Sequence, residues 1–151
     1  MERLTFGKEE RLHHRSLVEG LFRKGKSFYE FPFKVVWRKV SDEELIRTFC
    51  NHPPEGIGSL QMMVTVPKKK RRKAVERVRI RRRIRESYRL NRMPLFHEIS
   101  RRPDIKTLSV AFIYIHDQEL PYSGIEDKMK KALAKIAGKI TTGDQPISED
   151  K

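Results

Sequence analysis

Residues 68–92 read KKKRRKAVERVRIRRRIRESYRLNR, a 25-residue stretch with 14 lysines and arginines against two acids, Glu76 and Glu86. It holds +12 of the chain's formal +14, so the remaining 126 residues are close to neutral. Charge this concentrated repels itself, and the repulsion falls when a polyanion arrives and gives up its own counterions. No Gly or Pro interrupts the chain between Pro67 and Pro94, and Arg, Lys, Ile, Glu and Leu all tolerate a helix. The spacing predicts a helix over residues 73–92. Ala74, Val78, Ile80, Ile84 and Tyr88 form a narrow apolar stripe that can dock on a core, and Arg79, Arg82, Arg83, Arg85 and Arg89 fall outside it. Arginine outnumbers lysine inside the helix, which favours planar, bidentate contacts to phosphate. A solvated charged face or a nuclear-localisation run would share this composition.

The other segments supply a core. A chain of 151 residues is one domain by length, and 37% hydrophobic against 36% charged residues gives a modest core under a wet surface. Leu17, Val18, Leu21 and Phe22 repeat at helical spacing, and Gly25 stands where a left-handed terminating residue is expected. On spacing alone Phe22 is a core residue. The pattern then changes to a period of two: Phe31, Phe33, Val35 and Trp37 point one way and Pro32, Lys34, Val36 and Arg38 the other, as in a half-buried strand with a basic outer face. Residues 42–55 are a polar interruption ending in Pro53-Pro54, with room for a short strand over 45–50. Leu60, Met62, Val64 and Val66 alternate in a further strand that delivers the chain into the basic helix.

After Pro94, residues 95–106 read as a polar connection whose Arg101, Arg102 and Lys106 extend the basic area. TLSVAFIYI, residues 107–115, is apolar on both faces and reads as a central strand, parallel to 60–66 through the intervening helix. Ser123-Gly124-Ile125-Glu126 has the form of a capping box, and Ile125, Met129, Leu133, Ile136 and Ile140 give the last helix its buried stripe. Residues 1–140 are expected to form one domain and 141–151 a disordered tail. At the other end, residues 2–8 read as an arm anchored by Leu4 and Phe6.

Several chemistries are excluded or disfavoured. Cys50, the only cysteine, rules out an intramolecular disulfide and a cysteine zinc cluster. No long apolar run and no signal-peptide core are present, so no membrane is expected and the compartment is expected to be the cytoplasm. His13, His14, His52, His97 and His116 have no metal spacing, His13 and His14 would diverge on a helix, and the acids are dispersed. No catalytic or metal-binding set is therefore expected in the protein itself.

The run Ala74-Val75-Glu76-Arg77-Val78-Arg79-Ile80-Arg81-Arg82-Arg83-Ile84-Arg85-Glu86-Ser87-Tyr88-Arg89 resembles the signature helix of the bacterial ribonuclease P protein component, approximately A-V-x-R-N-R-I-K-R-x-x-R-E-x-F-R. It departs at Val78, where the family carries Asn. FRKGKSFYEFPFKVVW resembles the family's first helix, glycine turn and first strand, and the resemblance spans roughly residues 6–137. It implies an α+β single domain in the order α-β-β-β-α-β-α, with a four-stranded sheet and a left-handed crossover where the general rule gives a right-handed one. It further implies a subunit of an endoribonuclease whose RNA component, with bound magnesium, removes the 5′ leader of precursor tRNA, with one protein per RNA. Lys68, Lys69, Arg71, Arg72, Arg77, Arg79, Arg81, Arg82, Arg85 and Arg89 would then bind RNA. Val18, Phe22, Lys34 and Val36 would line the leader cleft, with less stacking and more positive charge than in other members. A ribosomal or other structural RNA-binding protein shares the charge and size, and the strand, basic helix, strand order distinguishes the two. A basic-zipper DNA-binding region would need leucine heptads after the basic helix, where Pro94 stands.

Overall fold

The computed structural model describes residues 7–68 and 73–141. After a 3-10 turn at Lys8–Glu10 the chain forms α1 (Arg15–Lys24), β1 (Lys26–Glu30), β2 (Phe33–Val40), α2 (Asp42–Thr48), β3 (Leu60–Thr65), α3 (Ala74–Asn91), α4 (Met93–Ser100), β4 (Thr107–Tyr114) and α5 (Tyr122–Thr141). The strands make one sheet in the order β1-β2-β4-β3. β1–β2 and β2–β4 are antiparallel, and β3–β4 are parallel. The expected order of elements and the four-stranded α+β sheet are thus present, with α2 and α4 added. β4 lies between β2 and β3 with both faces covered, as its unbroken apolar run requires.

The short strand for which residues 45–50 left room is not formed. Residues 45–50 lie on or just after a helix, α2, because Ser41 starts it with a capping box: its hydroxyl accepts from Glu44 N at 3.1 Å and the Glu44 carboxylate accepts from Ser41 N at 2.9 Å. Asp42, Glu43 and Glu44 in the first turn also suit the helix dipole. The missing strand is β1, whose single buried side chain, Phe28, left no alternation to read.

Helices cover both faces of the sheet. Ile80, Ile84 and Tyr88 of α3, Leu95 and Ile99 of α4 and the α5 stripe pack on Phe33, Val35 and Trp37. On the opposite face Leu17 and Leu21 of α1 and Leu45 of α2 pack on Val36, Val40 and Ala111. The second face of β2 is therefore not a basic outer surface, and Val36 and Arg38 are both buried.

Three helix ends also differ from expectation. Gly25 is extended, with φ −75 and ψ 162, so it does not supply a left-handed cap. It is needed for close approach: a Cβ there would meet the Leu21 carbonyl and come within 3.0 Å of Trp37 O. Pro94 sits in the first turn of α4, where its ring is tolerated, so the chain after α3 is helical rather than a loop. α5 starts at Tyr122, with Gly124 N and Ile125 N donating to Pro121 O at 3.1 and 3.2 Å. Ser123 is inside the helix, and Glu126 accepts instead from Asn91 Nδ2 at 3.0 Å, so the predicted box is not formed. Thr141, assigned to the tail, is the last residue of α5; residues 142–151, and 1–6 with Leu4 and Phe6, lie outside the described residues.

Candidate nucleic-acid interface

α3 exposes its arginines on two flanks that differ in electrostatic state. Ile80, Ile84, Ser87 and Tyr88 are buried, whereas Ala74 and Val78 are exposed, so the docking stripe is shorter than the sequence suggested and the first turn projects beyond the core. On one flank Arg79 and Arg83, one turn apart, converge on Glu119 in the connection between β4 and α5. Glu119 accepts from Arg79 Nε at 2.5 Å and Nη2 at 2.9 Å, and its Oε2 lies 3.0 Å from Arg83 Nη1. Arg83 also donates to Leu120 O at 2.7 Å. The hydrogen bonds that Arg79 donates to Glu119, and the charge of that carboxylate, raise the pKa of Arg79. Arg89 is held by Glu86 at 2.7 Å.

The other flank is free of such pairing. Arg81 and Arg85, again one turn apart, and Arg82 beside them have no carboxylate partner among the described residues. Arg85 lines a cleft of about 410 Å³ with Arg11, Leu12, His13, Met62, Met63 and Val64. Partial burial, then the charges of Arg81 and Arg11, push its pKa down. Arginine remains protonated regardless, so an anion bound in this cleft would meet a concentration of positive charge.

A second surface lies on the sheet face that carries α1. Cross-strand pairing aligns Tyr29 with Lys34, Lys34 with Ile113, and Ile113 with Thr65, a row spanning all four strands. Strand alternation puts this row on the same face as Val36, Ala111 and Met63, the next row, whose members belong to the cluster beneath α1. Tyr29 is 53% exposed and Lys34 Nζ stands 5.8 Å from its ring centroid. On α1, Phe22 is 48% exposed and Val18 half-buried. Aromatic faces beside a lysine are the components of a single-strand grip.

The ribonuclease P family pattern matches residues 6–137. The ribonuclease P protein component of Porphyromonas gingivalis is 34% identical over 138 residues, covering 90% of each chain. The chain belongs to the ribonuclease P protein family. As a ribonuclease P protein component it is a subunit of the ribonucleoprotein that processes tRNA 5′ ends, and takes part in its endoribonuclease activity. Solved ribonuclease P proteins share the fold. The Staphylococcus aureus protein has a TM-score of 0.55 at 19% identity, covering 85% of this chain and 94% of that one. The Thermotoga maritima protein has a TM-score of 0.56 at 21% identity, covering 83% of this chain and 96% of that one. The ribosomal and zipper alternatives are not favoured beside these matches.

The ribonuclease P motif residues and the cleft residues do not all occupy equivalent positions. Lys68 is exposed before α3, and Lys69, Arg71 and Arg72 lie outside the described residues. Arg77 is half-buried and partnered. Val36 is 6% exposed under α1, so it is part of the floor and offers no surface; Phe22, a core residue on spacing alone, is at the surface. Arg101 and Arg102 share one acid, Glu98, at 3.7 and 3.2 Å, which offsets part of the charge they bring. His13 and His14 precede α1 and do not diverge; their ring centroids are 4.3 Å apart. Sequence reading missed Tyr29 because β1 was not recognised; the exposed-aromatic signal was in KSFYE, one residue out of phase with buried Phe28.

Among the described residues no three His, Cys, Asp or Glu side chains are grouped to hold a metal ion, and no helix is long and apolar enough to cross a membrane.

Proposed function

We propose that this ribonuclease P protein holds the catalytic RNA with the Arg81, Arg82 and Arg85 flank of α3 and holds the 5′ leader of precursor tRNA on the open sheet face beside α1. Arg77, Arg79 and Arg89, with Lys68, Lys69, Arg71 and Arg72 before the helix, add positive charge around the first surface. Phe22, Tyr29 and Lys34 serve the second, with Val18 at its edge and Val36 beneath it. One protein binds one RNA.

The hydrolysis belongs to the RNA, and magnesium is bound there. When present, magnesium neutralises phosphate charge and activates the attacking water. The protein's residues bind and orient: the arginines lower the repulsion between two converging polyanions, and the aromatic and lysine side chains fix the leader strand. The reading rests most directly on Arg81, Arg82 and Arg85, which have no carboxylate partner among the described residues, with Arg85 lining an open cleft.

Reconstitution tests it. Protein alone is expected not to cleave precursor tRNA, whereas protein with ribonuclease P RNA should cleave at magnesium concentrations where the RNA alone is slow. Robust turnover by protein that has been freed of RNA by repeated nuclease treatment would overturn the assignment of chemistry to the RNA.

A further inference from the structure

α1 has two flanks. Val18 and Phe22 lie on one, while Gly20 and Arg23 lie on the other, where α2 runs alongside and encloses a cleft of about 320 Å³. α2 belongs to the connection between β2 and β3, which the functional reading above leaves unused.

Arg38, on β2, lines this cleft and is 8% exposed. Its guanidinium passes directly over Gly20, where a Cβ would have to push it aside. The nearest carboxylate oxygen, Glu44 Oε2, is 3.8 Å away, beyond hydrogen-bond range, and Arg38 makes no hydrogen bond among the described residues. A guanidinium carries five N–H donors and stays charged, so one that no protein acceptor takes up and that meets only the water of a narrow cleft offers a strong donor fork to an anion entering it. Of the Glu44 carboxylate, Oε1 already accepts from Ser41 N at 2.9 Å in the α2 cap.

The cleft rim adds Arg23, Lys24 and Arg47, none of which has an ion-pair partner among the described residues. Glu19, the other acid in the lining, is engaged by Arg15 at 3.0 Å. Four cations therefore face two carboxylates, of which Glu19 is engaged by Arg15 and Glu44 reaches Arg38 only at 3.8 Å, so the cleft keeps an excess of positive charge.

We propose that the α1–α2 cleft is a second RNA site, which takes one backbone phosphodiester group with Arg38 as its buried donor fork and Arg23, Lys24 and Arg47 as its rim. Two non-bridging phosphate oxygens match the paired donors of a guanidinium. The inference rests on the reading that this protein binds RNA. The phosphodiester comes either from the leader, which lies on the same sheet face across α1, or from the catalytic RNA.

The full-length protein is titrated with transcribed ribonuclease P RNA, and its complex with precursor tRNA with and without a leader, over a range of salt. Arg23→Ala/Arg47→Ala is compared with Arg82→Ala on α3 as the reference. Both substituted residues are exposed, so unfolding should be unchanged. The double variant is expected to weaken one of the two RNA interactions about tenfold and to reduce the slope of log affinity against log salt by about one. A loss confined to leader-bearing precursor assigns the phosphate to the leader, and a loss confined to assembly assigns it to the catalytic RNA. Unchanged affinity and slope with both RNAs, while Arg82→Ala still weakens binding, overturns the cleft proposal and leaves the functional reading standing. If Arg82→Ala is silent too, the functional reading fails with it. Arg38→Gln should reproduce the loss; if that variant does not fold, the double variant decides.

Discussion

Glu119 closes on Arg79 with both carboxylate oxygens, at 2.5 and 2.9 Å, and takes Arg83 as well at 3.0 Å. One acid thus offsets two of the arginines that sequence reading treated as equivalent to their neighbours. A phosphate approaching that flank must compete with a bidentate ion pair, whereas one approaching Arg81, Arg82 or Arg85 displaces only water and counterions.

RNA binding should therefore discriminate between arginines of the same helix. Arg82→Ala and Arg85→Ala are each expected to reduce the slope of log affinity against log salt by about 0.7–0.9, and Arg79→Ala by clearly less. Glu119→Gln frees Arg79 and Arg83 and should steepen the slope. Equal slope changes for Arg79→Ala and Arg82→Ala, measured side by side, would show that the Glu119 pair does not persist in solution.

The leader surface separates from the core in the same way. Phe22 and Tyr29 are 48% and 53% exposed, so truncating either to Ala should change stability by no more than about 0.5 kcal/mol. If each stacks a base, affinity for leader-bearing precursor falls by about 1–3 kcal/mol while affinity for mature tRNA holds. The readout is the ratio of the two affinities alongside an unfolding curve. A destabilised Phe22→Ala with an unchanged ratio would return Phe22 to the core.

Much of the architecture was legible because burial leaves a period. β4 read as an unbroken apolar run, β3 as alternation and α5 as a stripe of Ile125, Met129, Leu133, Ile136 and Ile140, all buried. Legibility failed where one face of an element carried little apolar weight. β1 buries only Phe28, and α2 buries only Leu45, so neither has a period, although the Ser41-to-Glu44 capping box was a readable start signal for α2. The candidate site was legible as composition and motif. Which arginines stay unpaired was not, since Glu119 is 40 residues from Arg79 in sequence. Likewise nothing local could reveal that helices cover both faces of β2 and bury Val36.

Arg92 illustrates the cost of counting charges. It belongs to the basic block by sequence, yet it is 2% exposed and donates to Glu10 at 2.5 and 2.9 Å and to Arg89 O at 2.6 Å. The pair ties the segment before α1 to the end of α3. Removing one partner leaves the other buried, so Arg92→Ala should lose about 3–5 kcal/mol of stability. Denaturant unfolding of Arg92→Ala, Glu10→Ala and the double variant checks this, and simple additivity of the two single losses would mean the residues do not interact.

The α2 cap gives the fold an acid-sensitive contact. The backbone hydrogen bond from Ser41, ahead of the charges of Arg38 and Lys24, holds the Glu44 pKa below its ordinary value of 4.5. Above 4.5 the carboxylate is ionised in folded and unfolded chains alike, and the cap contributes fully. As pH falls below 4.5 the unfolded chain takes up the proton first, so this contribution declines until the pH passes the folded-state value. His14 acts in a separate, higher window. Burial, and then the charge of His13, depress its pKa below 6.5, so stability already declines as pH drops from there. Glu44→Gln removes the titrating carboxylate while keeping the Ser41 hydroxyl that accepts from the helix backbone, and should cost about 0.3–1 kcal/mol at pH 7. Because it leaves His14 untouched, the variant and the parent should lose stability in parallel between neutrality and about pH 5, and their difference should narrow only as Glu44 of the parent protonates. Thermal unfolding of both from pH 7 to pH 3 measures it. A gap that stays constant down to pH 3 would mean that the charge on Glu44 contributes nothing to the cap.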